Sequence, residues 1–203
     1  IKKWVTQSNG REVVTNKFKE FYKKIHQLMK KEEIYEFSGT CCISTLIADK
    51  FCYVINVGDS RAVVGSRNLE NKFAIQMSID HKPKLAEEEE RIIKAGGEVK
   101  NEKDGQIGPY RVYKQNESNP GLAVSRSIGD CFGHECGVSE EPQVSFKIID
   151  PSDEFVVIGS DGIWDVMNSV EIVGYVFERL EQVDREKIAE EINDEPHGTR
   201  TKR

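Results

Sequence analysis

The 203-residue chain has no apolar run approaching membrane-spanning length and no signal-peptide pattern at its start. A helical membrane span is not expected, whereas the missing leader says little about the parent, because the chain opens as if trimmed. A basic excess is lacking too: 29 lysines and arginines face 35 acidic residues, for a net charge of −6. That balance argues against a general nucleic-acid surface, and no membrane partner is expected either. The five cysteines are odd in number and form no regular framework, so a reducing compartment, cytoplasmic or nuclear, is the default. Internal repeats and long low-complexity linkers are absent from the sequence. At 37% hydrophobic and 32% charged residues, the expectation is one domain over residues 1–203, monomeric, with a sizeable core and a solvated surface.

What the chain does have is carboxylates at strand ends. Glu154-Phe155-Val156-Val157-Ile158-Gly159 reads as an interior strand, and Ser160-Asp161-Gly162-Ile163-Trp164-Asp165 follows it directly. One helical turn from Asp161 to Asp165 would put both acids on the same face. Two acids held together need a cation, a shared proton or a basic partner, and a hard divalent ion with oxygen ligands answers best. Phe51 to Val57 reads as a second strand, with Arg61 to Gly65 as its antiparallel hairpin partner and Asp59 at the tip of the Gly58-Asp59-Ser60 turn. Asp59, Asp161 and Asp165 could then converge on one rim.

Helical spacing is clear from Asn16 to Lys31, where Phe18, Phe21, Tyr22, Ile25, Leu28 and Met29 recur, and His26 lies beside this core-facing stripe. Leu85 to Ala95 reads as a second helix. Its Glu87 to Glu90 run suits a helix N-terminal half and reads as a solvated face. Asn168-Ser169-Val170-Glu171 is a capping signal for a helix through about Glu181, and Asp184 reads as the cap of a last helix through Ile192, before a frayed end at Pro196, His197 and Gly198. Cys41 and Cys42 fall on opposite faces of a strand. Cys131, His134 and Cys136 lack a fourth ligand, so zinc is not expected there.

Five segments carry a resemblance. Ser38-Gly39-Thr40, Val57-Gly58-Asp59-Ser60-Arg61, Asp80-His81-Lys82-Pro83, Gly121 to Asp130 and Ser160 to Val166 occur in an order and at separations similar to those of the metal-dependent Ser/Thr protein phosphatases of type 2C. The likeness runs from about Ser38 to about Leu180. It implies an α+β fold in which two packed, mostly antiparallel sheets are flanked by helices, an α-β-β-α sandwich with metal at one end. By the same resemblance, Asp161 is the catalytic aspartate and binds one of two central Mg²⁺ or Mn²⁺ ions. Asp59 and Asp165, with Asp161, would hold a third, weaker metal. The implied reaction is hydrolysis of phosphoserine or phosphothreonine in phosphoprotein substrates by metal-activated water, without a phosphoenzyme. His81 is expected to be structural, Asp130 to support the rim, and Arg61 and Arg126 to pair with acids. Asp80 to about Gln115 would include the flap beside the site, with an exposed polar loop at Lys100 to Gly105.

Departures from the pattern are equally specific. The family's upstream Asp-Gly-His-Gly, its phosphate-gripping arginine and its C-terminal Asp-Asn have no counterparts, and the remaining Asp-Gly, Asp104-Gly105, precedes Gln106. The expectation is therefore a catalytic domain trimmed at both ends. The alternatives are a pseudophosphatase acting as an interaction module and a divalent-cation sensor.

Overall fold

The computed structural model describes residues 10–32, 36–68, 73–103 and 106–194, and its centre is a pair of strands buried on both faces. Phe51–Val57 (β3) points Tyr53, Ile55 and Val57 one way and Cys52 and Val54 the other. Arg61–Ser66 (β4) likewise points Val63 outward and Ala62 and Val64 inward. Side chains in a strand alternate between faces, so each of these strands serves two layers of core. Cys52, Val54, Ala62 and Val64 meet Met77 between the sheets. Outside β3, helix α1 (Gly10–Met29) contributes Val14 and Tyr22. Outside β4 lie Ile172, Val173 and Phe177 of α5 (Ser169–Asp194) and Trp164 of the single turn α4 (Asp161–Trp164). The expected α-β-β-α sandwich is formed.

The expected hairpin is not. β3 pairs antiparallel with Cys42–Ala48 (β2) and Gln143–Ile148 (β10), whereas β4 pairs with Ala74–Gln76 (β5) and Asp153–Gly159 (β11). Gly58-Asp59-Ser60 therefore crosses from one sheet to the other. Gly58 has φ +103°, a conformation that turns the chain out of the β3 plane at little cost only without a side chain. The same pairing corrects the strand before Asp161. Among the described residues β11 is an edge strand, half-buried rather than interior.

A third sheet joins Gly97–Lys103 (β6), Gln106–Lys114 (β7) and Pro120–Leu122 (β8). It packs Val99, Val112 and Leu122 against Ile92 of α2 (Ala86–Lys94) and against Phe132, Cys136 and Val138. The polar stretch expected as a loop is thus strand as far as Lys103, since Val99 and Val112 anchor the hairpin to α2. Residues 104 and 105 lie outside the described residues. Gly39–Thr40 (β1) pairs with Ile128–Gly129 (β9) beside the short helix α3 (Cys131–His134). His134 stacks on His26 of α1, ring centroids 3.9 Å apart, whereas Cys136 is buried with Ile92 and Val112.

Two further readings change. α1 begins at Gly10 rather than Asn16, because Val14 extends its core stripe. The capping signal at Asn168 is realised: its Oδ1 accepts from the N–H groups of Val170 and Glu171 (both 3.0 Å), and its own N–H donates to Glu171 Oε2 at 2.8 Å. The break expected at Asp184 does not occur, and α5 runs unbroken to Asp194. Pro196, His197 and Gly198 lie outside the described residues.

Candidate active site

Asp59 sits on the crossover between the sheets, its side chain 9% exposed. Its Oδ1 accepts from the Cys41 thiol at 3.3 Å and its Oδ2 from Lys82 Nζ at 2.5 Å. Asp161 and Asp165 open and close the α4 turn, exposed at the end of β11, with the Asp165 N–H donating to the Asp161 carbonyl at 2.8 Å. Trp164 Nε1 ties that turn to its strand by donating to the Gly159 carbonyl at 2.7 Å.

Shared neighbours place the three acids in one region. Burial, reinforced by the charges of Asp59 and Asp161, pushes the Cys41 thiol up to about 11, so it stays a protonated donor. Burial alone would lower the Lys82 ammonium, but its bond to Asp59 and the charges of Asp59, Asp165 and Asp80 raise it. Arg61 is also within the field of Asp165. The acids surround these groups without closing on one point. Among the described residues, no three His, Cys, Asp or Glu side chains are gathered closely enough to hold an ion.

Behind Asp59 lies a polar network that fixes its turn. The Gly58 N–H donates to His81 Nδ1 at 3.1 Å, and the His81 N–H donates back to the Gly58 carbonyl at 3.0 Å. Asn56 Nδ2 donates to the same carbonyl at 3.1 Å. The His81 carbonyl accepts from Ser125 N–H at 2.9 Å, and Ser125 Oγ donates to Glu88 Oε2 at 2.6 Å. Glu88 also takes bonds from Arg91 Nη2 at 2.8 Å and Arg126 Nη2 at 2.6 Å. Burial would raise this carboxyl, but the bonds from Arg91, Arg126 and Ser125 outweigh it and hold it down at about 2. The expected solvated acidic face therefore fails at Glu88, which is 2% exposed. It lies four residues before the buried Ile92 and shares its helix face.

His81 is structural, as expected, and makes stability depend on pH. Burial and the Arg126 and Arg91 charges push it down from 6.5 to about 4. Below pH 6.5 the unfolded chain takes up a proton that the folded one refuses, so stability falls until about pH 4, by roughly 3 kcal/mol in total. Denaturant midpoints from pH 7 to 4 should fall less steeply in His81→Asn; equal slopes would remove His81 from the acid response.

Arg61 pairs with Asp80, its Nε donating to Oδ1 at 3.0 Å and its Nη2 to Oδ2 at 2.6 Å, and its guanidinium lies 5.1 Å from the Trp164 ring. That clamp holds the α4 end of one sheet to the segment after Met77. Arg126 pairs with Glu88 as described. Asp130 is placed at β1, its N–H donating to the Ser38 carbonyl at 2.7 Å and its carboxyl filling the space over Gly39. Lys82, Glu88 and Cys41 were not legible as site residues. Lys82 stands inside one of the five segments yet carries no periodic signal.

The model of the family described as protein phosphatase 2C matches residues 3–201. Probable protein phosphatase 2C 33 of Arabidopsis thaliana is 41% identical over 140 residues, covering 68% of this chain and 28% of the relative. Probable protein phosphatase 2C 73 of the same plant is 39% identical over 153 residues, covering 73% of this chain and 41% of the relative. The chain thus spans less than half the length of these two relatives. A crystal structure of serine-threonine phosphatase 2C from Toxoplasma gondii shares the fold, with a TM-score of 0.76 at 20% identity over 89% of this chain and 63% of that one. A match over nearly the whole chain, on a sandwich with carboxylates at its crossover and at the end of β11, places the protein in the protein phosphatase 2C family.

Proposed function

We propose that the chain is part of the catalytic domain of a Mg²⁺- or Mn²⁺-dependent phosphatase acting on phosphoserine and phosphothreonine in proteins. The observation that carries this reading is Asp59: a nearly buried carboxylate that already holds a cation, Lys82, in the same region as Asp161 and Asp165. The donor set is all oxygen, the chemistry a hard divalent ion takes. The three carboxylates do not close on one point by themselves and would have to turn toward it. Asp161 would hold a central ion, and Asp59 and Asp165 would share a further one with it. Bound ions would supply an acidified water and neutralise the charge developing on phosphorus. The chain's own residues then have distinct tasks. Asp161 is presented on a turn locked by Trp164, Asp59 is aimed by the Gly58–His81 bonds, and Arg61 holds α4 beside Asp80. A solvated surface with net charge −6 and free thiols at all five cysteines support work on proteins in the cytoplasm or nucleus.

The test is hydrolysis of a phosphothreonine peptide by the full-length protein with Mn²⁺, beside its Asp161→Asn variant. Turnover should fall at least about a hundredfold in the variant, the scale of losing one electrostatic stabiliser of the transition state. Mn²⁺ should also raise the thermal midpoint of the wild type more than that of the variant. A folded parent without turnover in Mn²⁺ or Mg²⁺ would overturn the proposal in favour of an interaction module.

A further inference from the structure

We propose that Lys82 is a built-in counter-cation at the rim, and that a divalent ion gains Asp59 only by exchanging with its ammonium. The inference rests on the metal reading above and adds what sets the strength of that binding. Both carboxylate oxygens of Asp59 are engaged, Oδ1 by the Cys41 thiol and Oδ2 by Lys82. The thiol is a weak, neutral donor and yields easily. The ammonium is a full positive charge in contact with the same carboxylate, so an ion at either oxygen meets its repulsion and only part of the anion's charge until Lys82 leaves.

Exposure makes the exchange feasible. The Asp59 side chain is 9% exposed and the Lys82 side chain 43%. The carboxylate stays fixed on its turn while the flexible four-carbon stem of the lysine can swing into water. Fixing Asp59 is the work of the Gly58–His81 bonds, so displacement of Lys82 need not disturb the backbone. Asp165 and Asp80 both act on the ammonium. Asp80 is already held at both oxygens by Arg61 and Asp165 would face the ion, so a released Lys82 passes its charge to water rather than to another acid.

This arrangement keeps an otherwise costly buried carboxylate neutralised when the ion is absent. It also lowers apparent metal affinity, because the competent state is the one in which Lys82 has left. Removing the ammonium while keeping the stem should therefore tighten the metal.

The experiment is Mn²⁺ titration of the full-length protein followed by the electron paramagnetic resonance signal of free Mn²⁺. It compares wild type, Lys82→Met, Lys82→Gln and Asp59→Asn. The class of binding that Asp59→Asn removes should tighten about tenfold in both Lys82 variants. The thermal midpoint should fall in Lys82→Met without metal and rise more steeply with Mn²⁺ than in wild type. Wild-type binding that is unchanged or weakened in the Lys82 variants would overturn the exchange and leave the metal reading standing. Wild-type protein with no Asp59-dependent Mn²⁺ would overturn the exchange and Asp59's share in a metal, and the Asp161→Asn comparison then decides whether the central-ion reading stands.

Discussion

Glu88→Ala is expected to destabilise the protein by about 3–5 kcal/mol, the range for removing one partner from a buried ion pair. Three charged side chains meet at this point. Glu88 is 3% exposed at its side chain, Arg126 18% and Arg91 32%. Without the carboxylate, two guanidinium groups and the Ser125 hydroxyl lose their common acceptor in a part of the molecule that water reaches poorly. Glu88→Gln keeps an acceptor oxygen and the side-chain shape but loses the charge, so it should cost less. For a chain of this size the alanine change should lower the melting midpoint on the order of 10 °C. The check is the denaturant midpoint with the slope held under observation, since a changed slope would report a change in the denatured state instead. A midpoint shift under 1 kcal/mol would mean that the network is slack and Asp59 is fixed by other contacts.

Glu88 also shows where sequence reading stops. Local signals were legible wherever one element carries its own periodicity or cap. The α1 stripe of Phe18, Tyr22 and Ile25, the α2 span and the Asn168–Glu171 cap are cases of this. Glu88 is hidden by its neighbours, because four glutamates in a row look like a solvated face. Only the burial of Ile92, one turn on, marks which of the four points inward.

Strand pairing was not legible either. β3 and β4 follow one another across three residues, which favours a hairpin on local grounds. Each is instead the centre of its own sheet, with partners as distant as Gln143–Ile148 and Asp153–Gly159. Those pairings are chosen by the apolar residues on both faces of both strands, which a hairpin could not have covered. Asp59, Asp161 and Asp165 were legible as carboxylates at strand ends and a tight turn, and again by short segments in family order. The counter-ion of Asp59 was not, because Lys82 reaches it from 23 residues away.

Gly58→Ala is expected to cost about 2–6 kcal/mol, from two sources that can be separated. The first is backbone strain at φ +103°, on the order of 1–3 kcal/mol for a residue with a side chain. The second is crowding: an added Cβ would lie 2.2 Å from Cys41 Sγ, 2.6 Å from its Cβ and 3.1 Å from its Cα. Overpacking of this kind typically costs about 1–3 kcal/mol. Cys41→Ala in the same chain removes the sulfur but leaves the contact with its Cβ, so it should restore only part of the loss. Cys41→Gly removes both side-chain contacts, and what remains uncorrected should be the backbone strain and the tight 3.1 Å contact with the Cα, apart from the separate cost of a second glycine measured in the single variant. A double-mutant cycle thus divides the cost between conformation and packing. If the cycle shows no coupling between positions 41 and 58, crowding is absent. The crossover is then held by backbone conformation and the His81 bonds alone. The same variant bears on function, because Asp59 is the next residue. A turn forced away from φ +103° moves its carboxylate off both the Cys41 thiol and Lys82, and Asp59-dependent Mn²⁺ stabilisation should be lost even where the fold survives.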